Sequence, residues 1–189
     1  MRIRDQKKYN AIVQTSIQLI NELGFSGISI AKIAHEAKTS PATIYIYFEN
    51  KEDLLTKIYL NIRKKISQAA LQGLDDAKSI KEQFKLIWHN FFTYALAHND
   101  FLIYREYFER TSMMKKIRQE NFELFKYITN LLQRGIKEKS IKELPLPFLT
   151  AFAFMPIISL LKVNFEAGIK MDDNLINQAS EIAWKSIKI

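Results

Sequence analysis

Hydroxyl-bearing side chains are concentrated in one stretch of the chain, residues 29–51, which ends in a lysine. Hydroxyl and ammonium groups bind phosphate oxygens, and hydroxyl and methyl groups also bind the edges of base pairs. Ala42 would permit close backbone approach, and Ile46 could touch a thymine methyl group. The stretch is therefore a candidate surface for double-stranded DNA, with these contacts: Ser29, Lys32, Ser40, Pro41, Ala42, Thr43, Tyr45, Ile46, Tyr47 and Lys51.

Two short helices joined by a tight turn are expected to position these residues. Ser29 is the N-cap of the first helix, and Ser40 followed by Pro41 is an N-cap and first-turn pair that opens the second. Helix N-termini also bind anions readily. The pattern predicts a helix-turn-helix over about residues 29–48, whose second helix would enter the major groove.

Spacing assigns the faces of the second helix. Ile44 and Phe48 lie four residues apart and are expected to pack inward, which leaves Thr43 and Tyr47 on the opposite side. The tyrosine hydroxyls and Lys51 would then meet phosphate oxygens. The alternative is an ordinary helical hairpin in which Tyr45 and Tyr47 are half-buried packing residues.

The whole chain of 189 residues has the pattern of an all-α protein. It contains only 5 Gly and 4 Pro, and apolar residues recur at the helical period throughout. We expect about nine helices in three parts: a three-helix DNA-binding domain over residues 1–50, a connecting helix over 51–72, and a helical domain over 73–189. The penultimate helix, about residues 148–166, is expected to kink at Pro156.

Charge and composition limit the partners and the compartment. The formal net charge is +8, and residues 1–65 hold 11 of the 28 Lys and Arg against 6 of the 20 Asp and Glu, which favours a polyanion at that end. Cysteine is absent, so a reducing cytoplasm is the natural compartment. The N-terminal residues lack the apolar block of a signal peptide, and we expect the most apolar run, residues 148–163, to be too short to cross a membrane.

An enzyme is the competing function class, and the sequence gives it little support. The histidines, His35, His89 and His98, have no partner at metal-ligand spacing, and there is no cysteine nucleophile or glycine-rich phosphate loop. We therefore expect no catalytic residues, no metal and no cofactor. A helical carrier or partner-binding protein without DNA-binding activity remains as the alternative to a DNA-binding regulator.

Residues 12–55 resemble the N-terminal domain of the TetR family of bacterial transcription regulators. The resemblance is carried by Gly24-Phe25, Ile33-Ala34, Ser40, the run Thr43-Ile44-Tyr45 with Tyr47-Phe48, and Asn50-Lys51-Glu52 with Leu54-Leu55. It implies a dimeric regulator, more often a repressor, that binds a palindromic operator. Lys38 departs from the family, which has Gly in this turn; a left-handed lysine there would cost about 1–2 kcal/mol.

The resemblance also implies that the C-terminal helices bind a small effector and that the last two helices form a homodimer. The residues add modest support, because the C-terminal part holds more aromatic side chains than one small core needs. An apolar or aromatic effector would use such a pocket, although a plain aromatic core explains each residue as well. The candidate lining is Trp88, Phe91, Phe92, Tyr104, Tyr107, Phe108, Phe122, Phe125 and Phe152.

Overall fold

The computed structural model describes residues 5–117 and 123–189 of the chain. Within these ranges the regular structure is helical, apart from one isolated antiparallel bridge between Ile141 and Lys188, so the all-α prediction is confirmed. The helices are α1 (Gln6–Leu23), α2 (Ile30–Glu36), α3 (Pro41–Tyr47), α4 (Lys51–Ala70), α5 (Ile80–Ala97), α6 (Asn99–Glu109), α7 (Met113–Ile117), α8 (Glu123–Lys137), α9 (Leu146–Ala153), α10 (Met155–Ala167) and α11 (Asp173–Ile187).

The helices form two compact units, whose boundary along the chain lies within α4 between Arg63 and Lys64. The N-terminal unit comprises residues 5–63 and 98–117, and the C-terminal unit comprises residues 64–97 and 123–189. The predicted domain bounds at residues 50 and 72 follow chain order. In the structure, α6 and α7 pack with the N-terminal helices.

Long-range contacts hold α6 in the N-terminal unit. The side-chain amide of Asn21 donates to the carbonyl oxygen of Asp100 at 2.9 Å. Farther along, the Tyr104 hydroxyl donates to the Leu55 carbonyl oxygen at 2.9 Å, and the Glu109 carboxylate accepts from the Tyr59 hydroxyl at 3.1 Å. These bonds attach one helix to both α1 and α4, and chain order alone does not reveal them.

The core of the C-terminal unit is built on α5. Phe84 lies against Phe154 and Trp184, with ring centroids 5.1 and 5.3 Å away. One turn later Trp88 stacks on Phe92 at 5.8 Å. The unit thus has an aromatic core that draws on α5, α11 and the junction of α9 with α10.

The predicted helix over residues 148–166 is interrupted in the structure. Phe154 leaves the helical conformation, with φ −122° and ψ −25°, so that α9 ends at Ala153 and α10 begins at Met155. The prediction of a kink at Pro156 is therefore wrong by two residues. Proline lacks an N–H and its ring obstructs the preceding turn, so the chain breaks before it, and Pro156 lies in the first turn of the new helix.

The segment Leu146–Ala167 spans 22 residues with a mean hydropathy of 1.9 in its most apolar window. By length and composition alone it could cross a membrane, and the prediction that this region is too short is wrong in that respect. A single such segment is weak evidence, because apolar helices of this kind also occur in soluble proteins.

Candidate nucleic-acid interface

Side-chain caps define the beginnings of α2 and α3. The Ser29 hydroxyl accepts a hydrogen bond from the Lys32 amide at 3.1 Å, and the Ser40 hydroxyl accepts one from the Thr43 amide at 3.1 Å. Between the caps, Ile33 and Ala34 are buried. Ile44, which comes after the second cap, is buried as well. The two helices and their turn therefore form as the sequence predicts.

The turn between α2 and α3 contains a left-handed lysine, Lys38, with φ +50°. The Lys38 amide donates to the His35 carbonyl at 3.1 Å, and the Thr39 amide donates to the Ala34 carbonyl at 2.9 Å. This is the Schellman arrangement that usually ends in glycine. The lysine satisfies the last carbonyls of α2 but carries the backbone strain that a glycine would avoid.

The outward face of α3 is apolar. Tyr45 is 55% exposed and Ile46 is 42% exposed, and Pro41 and Ala42 are exposed beside them. Thr43 is half-buried, and its hydroxyl is 2.9 Å from that of Ser40. Of the six predicted DNA contacts on α3, these five are exposed or half-buried, and uncharged groups dominate the surface of the helix.

Tyr47 does not lie on that face. It is only 9% exposed, its ring meets the ring of Tyr9 edge-on at 5.8 Å, and its hydroxyl donates to the Asp5 carbonyl oxygen at 3.1 Å. The predicted outward orientation of Tyr47 is therefore wrong. Its side chain secures the beginning of α1 against the end of α3.

Lys51 is half-buried and bonded within the protein. Its ammonium donates to the carbonyl oxygens of Phe25, at 2.8 Å, and Ile28, at 2.6 Å. Both carbonyls belong to the connection between α1 and α2. Two of the three ammonium donors therefore fix the loop that precedes α2, a role that the sequence does not predict.

The beginning of α4 is capped by an acidic and an amide side chain. The Asp53 amide donates to the Asn50 side chain, and the Glu49 amide donates to the Asp53 carboxylate, each at 2.9 Å. Partial burial alone would raise the pKa of Asp53, but hydrogen bonds from Lys57 and from the Glu49 amide lower it below its usual value. Asp53 thus stays ionised at the positive end of α4.

Three of the candidate effector residues lie in the N-terminal unit. Tyr104 and Phe108 are completely buried, and Phe108 stacks on Tyr59 at 4.3 Å. Tyr107 is partly exposed, and its ring lies 6.2 Å from that of Phe25. These residues form the packing between α6 and the rest of the N-terminal unit, as the plain-core alternative stated.

The remaining candidates belong to the C-terminal unit and divide by exposure. Trp88 and Phe92 are completely buried, and the Trp88 indole N–H donates to the Ala153 carbonyl oxygen at 2.8 Å. Phe91 is half-buried, whereas Phe125 and Phe152 are largely exposed. Phe122 lies outside the described residues.

Histidine and carboxylate groups do not assemble into a metal site within residues 5–117 and 123–189. His35 lies 3.1 Å from the carboxylate of its neighbour Glu36, and both side chains are exposed.

Known proteins share this fold. A family model described as bacterial regulatory proteins, tetR family, matches residues 12–58. A second, the tetracyclin repressor-like C-terminal domain, matches residues 79–188, more than half of the chain. The chain belongs to the TetR family. It is a DNA-binding transcriptional regulator and not an enzyme.

Individual relatives of this TetR-family regulator extend over most of its length. A TetR family transcription regulator from Marinobacter aquaeolei VT8 is 31% identical, with a TM-score of 0.90, and covers 100% of this chain and 99% of its own. The fatty acid metabolism regulator protein of Bacillus subtilis (strain 168) is 27% identical over 140 residues, 72% of either chain. The regulator FadR from Bacillus subtilis in complex with stearoyl-CoA shares the fold at 23% identity, with a TM-score of 0.73 and coverage of 93% and 95%.

Proposed function

We propose that this regulator is a cytoplasmic, dimeric repressor that binds a palindromic operator and is released from it by a small, largely apolar effector. The exposed face of α3 is the observation that supports DNA recognition. In a helix-turn-helix this is the face that enters the major groove, and here it presents Ala42, Tyr45 and Ile46. Tyr45 and the exposed Lys32 would bind phosphate oxygens beside it.

Binding of the full chain to the DNA upstream of its own gene tests this proposal. Affinity is measured by fluorescence anisotropy at several salt concentrations, with a scrambled duplex of equal length as the control. We expect a specific complex whose affinity falls as salt rises, because phosphate contacts release counterions. Equal affinity for the two duplexes would contradict operator recognition, and a transcriptional reporter distinguishes repression from activation.

Dimerisation is supported by an apolar stripe on the helices α9 to α11. Phe148 and Phe152, four residues apart on α9, are exposed, and so is Met155 at the beginning of α10. Leu175 and Ile182, seven residues apart on α11, are exposed as well. Phe152 is 59% exposed and Ile182 is 70% exposed. Large apolar side chains left in water on several helices are typical of an interaction surface, and a second copy of the chain is the expected cover.

Replacing one residue of this stripe tests the dimer. Phe152→Glu should convert the protein to a monomer in sedimentation equilibrium, because a symmetric interface would bury one unpaired carboxylate on each subunit. Ile103→Glu, at an exposed isoleucine of α6, is the matched control and should remain dimeric. If Phe152→Glu is a dimer of unchanged dissociation constant, the stripe is not the interface.

The effector is expected to bind in the C-terminal unit. Its fully buried aromatic residues serve the core, which leaves Phe91 and Phe125 as the described candidates for a ligand contact. The fatty acid regulator of Bacillus subtilis is a relative, and the solved FadR structure holds stearoyl-CoA, so a long-chain acyl-CoA is a suitable first probe.

Operator affinity is then measured with stearoyl-CoA and, as the control, with coenzyme A alone. Release by the acyl-CoA but not by coenzyme A would support an apolar effector site. Phe91→Ala should weaken that response while leaving operator binding without the effector unchanged. A panel of apolar and aromatic compounds that all fail to alter operator affinity would contradict effector control.

A further inference from the structure

We propose that this regulator reads each operator half-site mainly through thymine methyl groups, with Ile46 as the side chain that determines specificity. The inference rests on the proposed operator binding and adds the chemistry by which the bases are distinguished. It follows from which groups α3 lacks, which of its polar groups are already bonded, and which apolar groups it leaves exposed.

The first step is the set of side chains on α3. Residues 41–47 include no Arg, Lys, Asn, Gln, Asp or Glu. Arg and Lys are the usual readers of guanine, Asn and Gln of adenine, and carboxylates of the cytosine amino group. The recognition helix therefore lacks the side chains that read three of the four bases by paired hydrogen bonds.

The second step concerns the hydroxyl groups of α3. The Tyr47 hydroxyl donates to the Asp5 carbonyl oxygen, and the Tyr47 side chain is buried. The Thr43 hydroxyl is 2.9 Å from the Ser40 hydroxyl at the beginning of the helix. Tyr45 is 55% exposed, and its long side chain is suited to the sugar-phosphate backbone.

The third step is the apolar surface that remains. Ala42, Tyr45 and Ile46 are spaced i, i+3 and i+4, so they form one continuous face of α3. Ile46 is 42% exposed, and the thymine methyl is the apolar group that base pairs present in the major groove. Lys32 on α2 and Lys38 in the turn are exposed, which favours a polyanion as the partner of the motif. We therefore assign duplex DNA with thymine in the contacted positions as the partner of this face.

The experiment begins with selection of duplexes from a random-sequence pool by the full-length protein. In the selected duplex each thymine is replaced in turn by deoxyuridine, which removes the methyl group and leaves the base-pairing edge unchanged. One buried methyl is worth about 0.8 kcal/mol, so affinity should fall about fourfold at the contacted position and about fifteenfold when both half-sites are changed. Replacements outside the protected region serve as the DNA control.

A second variant connects the methyl group to Ile46. In Ile46→Ala the fourfold preference for thymine over deoxyuridine should disappear at the contacted position, because the truncated side chain no longer reaches the methyl. Ile103→Ala, which truncates an exposed isoleucine on α6, should retain the full preference. Circular dichroism confirms that both variants are folded.

The outcomes separate this inference from the function on which it rests. A selected operator that tolerates deoxyuridine everywhere, or whose half-sites contain no thymine, overturns the methyl readout but leaves the regulator a DNA-binding repressor. A preference that persists in Ile46→Ala overturns the assignment to Ile46. If no sequence is enriched and no salt-dependent binding is found, the proposed operator binding and this inference both fail.

Discussion

The hydrogen bonds of Lys51 lead to a prediction about the stability of the N-terminal unit. The sequence alone predicts this residue to be a DNA contact. Lys51→Met removes the ammonium but keeps an apolar stem of similar length. The carbonyl oxygens of Phe25 and Ile28 then lose the donor that lies 2.8 and 2.6 Å from them. Because the α1–α2 connection depends on this donor, we expect the N-terminal unit to be destabilised.

The size of the effect follows from the chemistry of the bonds. A hydrogen bond to a charged group contributes about 1.5–3 kcal/mol. Lys51 is half-buried, so water replaces part of the lost interaction. We expect a net loss of about 2 kcal/mol, which for a chain of this length corresponds to about 4–8 °C in the unfolding midpoint.

Thermal and urea unfolding followed by far-UV circular dichroism would measure this loss. Lys32→Ala is the matched control, because Lys32 is an exposed lysine of the same unit. Its stability should be unchanged, while the slope of operator affinity against salt should fall by about one unit. A Lys51→Met protein with an unchanged midpoint and a reduced salt slope would refute the assignment, because that result places the ammonium at a phosphate.

Three further variants examine other features of the structure. Tyr47→Ala should lower the unfolding free energy by about 3 kcal/mol, as truncation of a buried aromatic side chain does. A variant of unchanged stability that loses only operator affinity would contradict this and would support an outward Tyr47. Lys38→Gly should stabilise the protein by about 0.5–1 kcal/mol, since relief of about 1–2 kcal/mol of strain exceeds the entropy cost of glycine; a lower urea midpoint would contradict this. Hydrogen bonds from Lys85 and Lys81 lower the pKa of Glu181 from 4.5 to about 2. The stability that Glu181 contributes should therefore be complete above pH 4.5 and disappear as the pH falls toward 2. The difference in unfolding free energy between wild type and Glu181→Gln should become smaller as the pH falls over that range.

The sequence predicts the helix-turn-helix because its determinants are local. Each helix N-cap, Ser29 or Ser40, bonds an amide three residues later in the chain. The buried residues of the motif, Ile33 and Ile44, lie only a few positions after these caps. The inward packing of Ile44 and Phe48 is confirmed, since both side chains are buried. Tyr47 lies three residues after Ile44, and residues at this spacing share a face of a helix. Its burial therefore also follows from local spacing, and the prediction of an outward Tyr47 overlooked it.

Long-range contacts account for the features that the sequence does not predict. Lys51 reaches carbonyls 26 and 23 residues earlier in the chain, and a flexible side chain carries no sequence signal for such partners. In the same way composition counts Tyr104 and Trp88 as similar aromatic residues, whereas packing assigns them to different units. The domain bounds that the sequence suggests follow chain order and stay a prediction.

The placement of Trp88 and Trp184 has a practical consequence for following the protein in solution. These are the 2 tryptophans of the sequence, and both lie in the C-terminal unit. Trp88 is buried, stacked on Phe92 and bonded through its indole N–H, so its emission should move to longer wavelength when that unit opens. Excitation at the red edge of the absorption band therefore reports on the C-terminal unit alone, and unfolding of the N-terminal unit gives no tryptophan signal of its own.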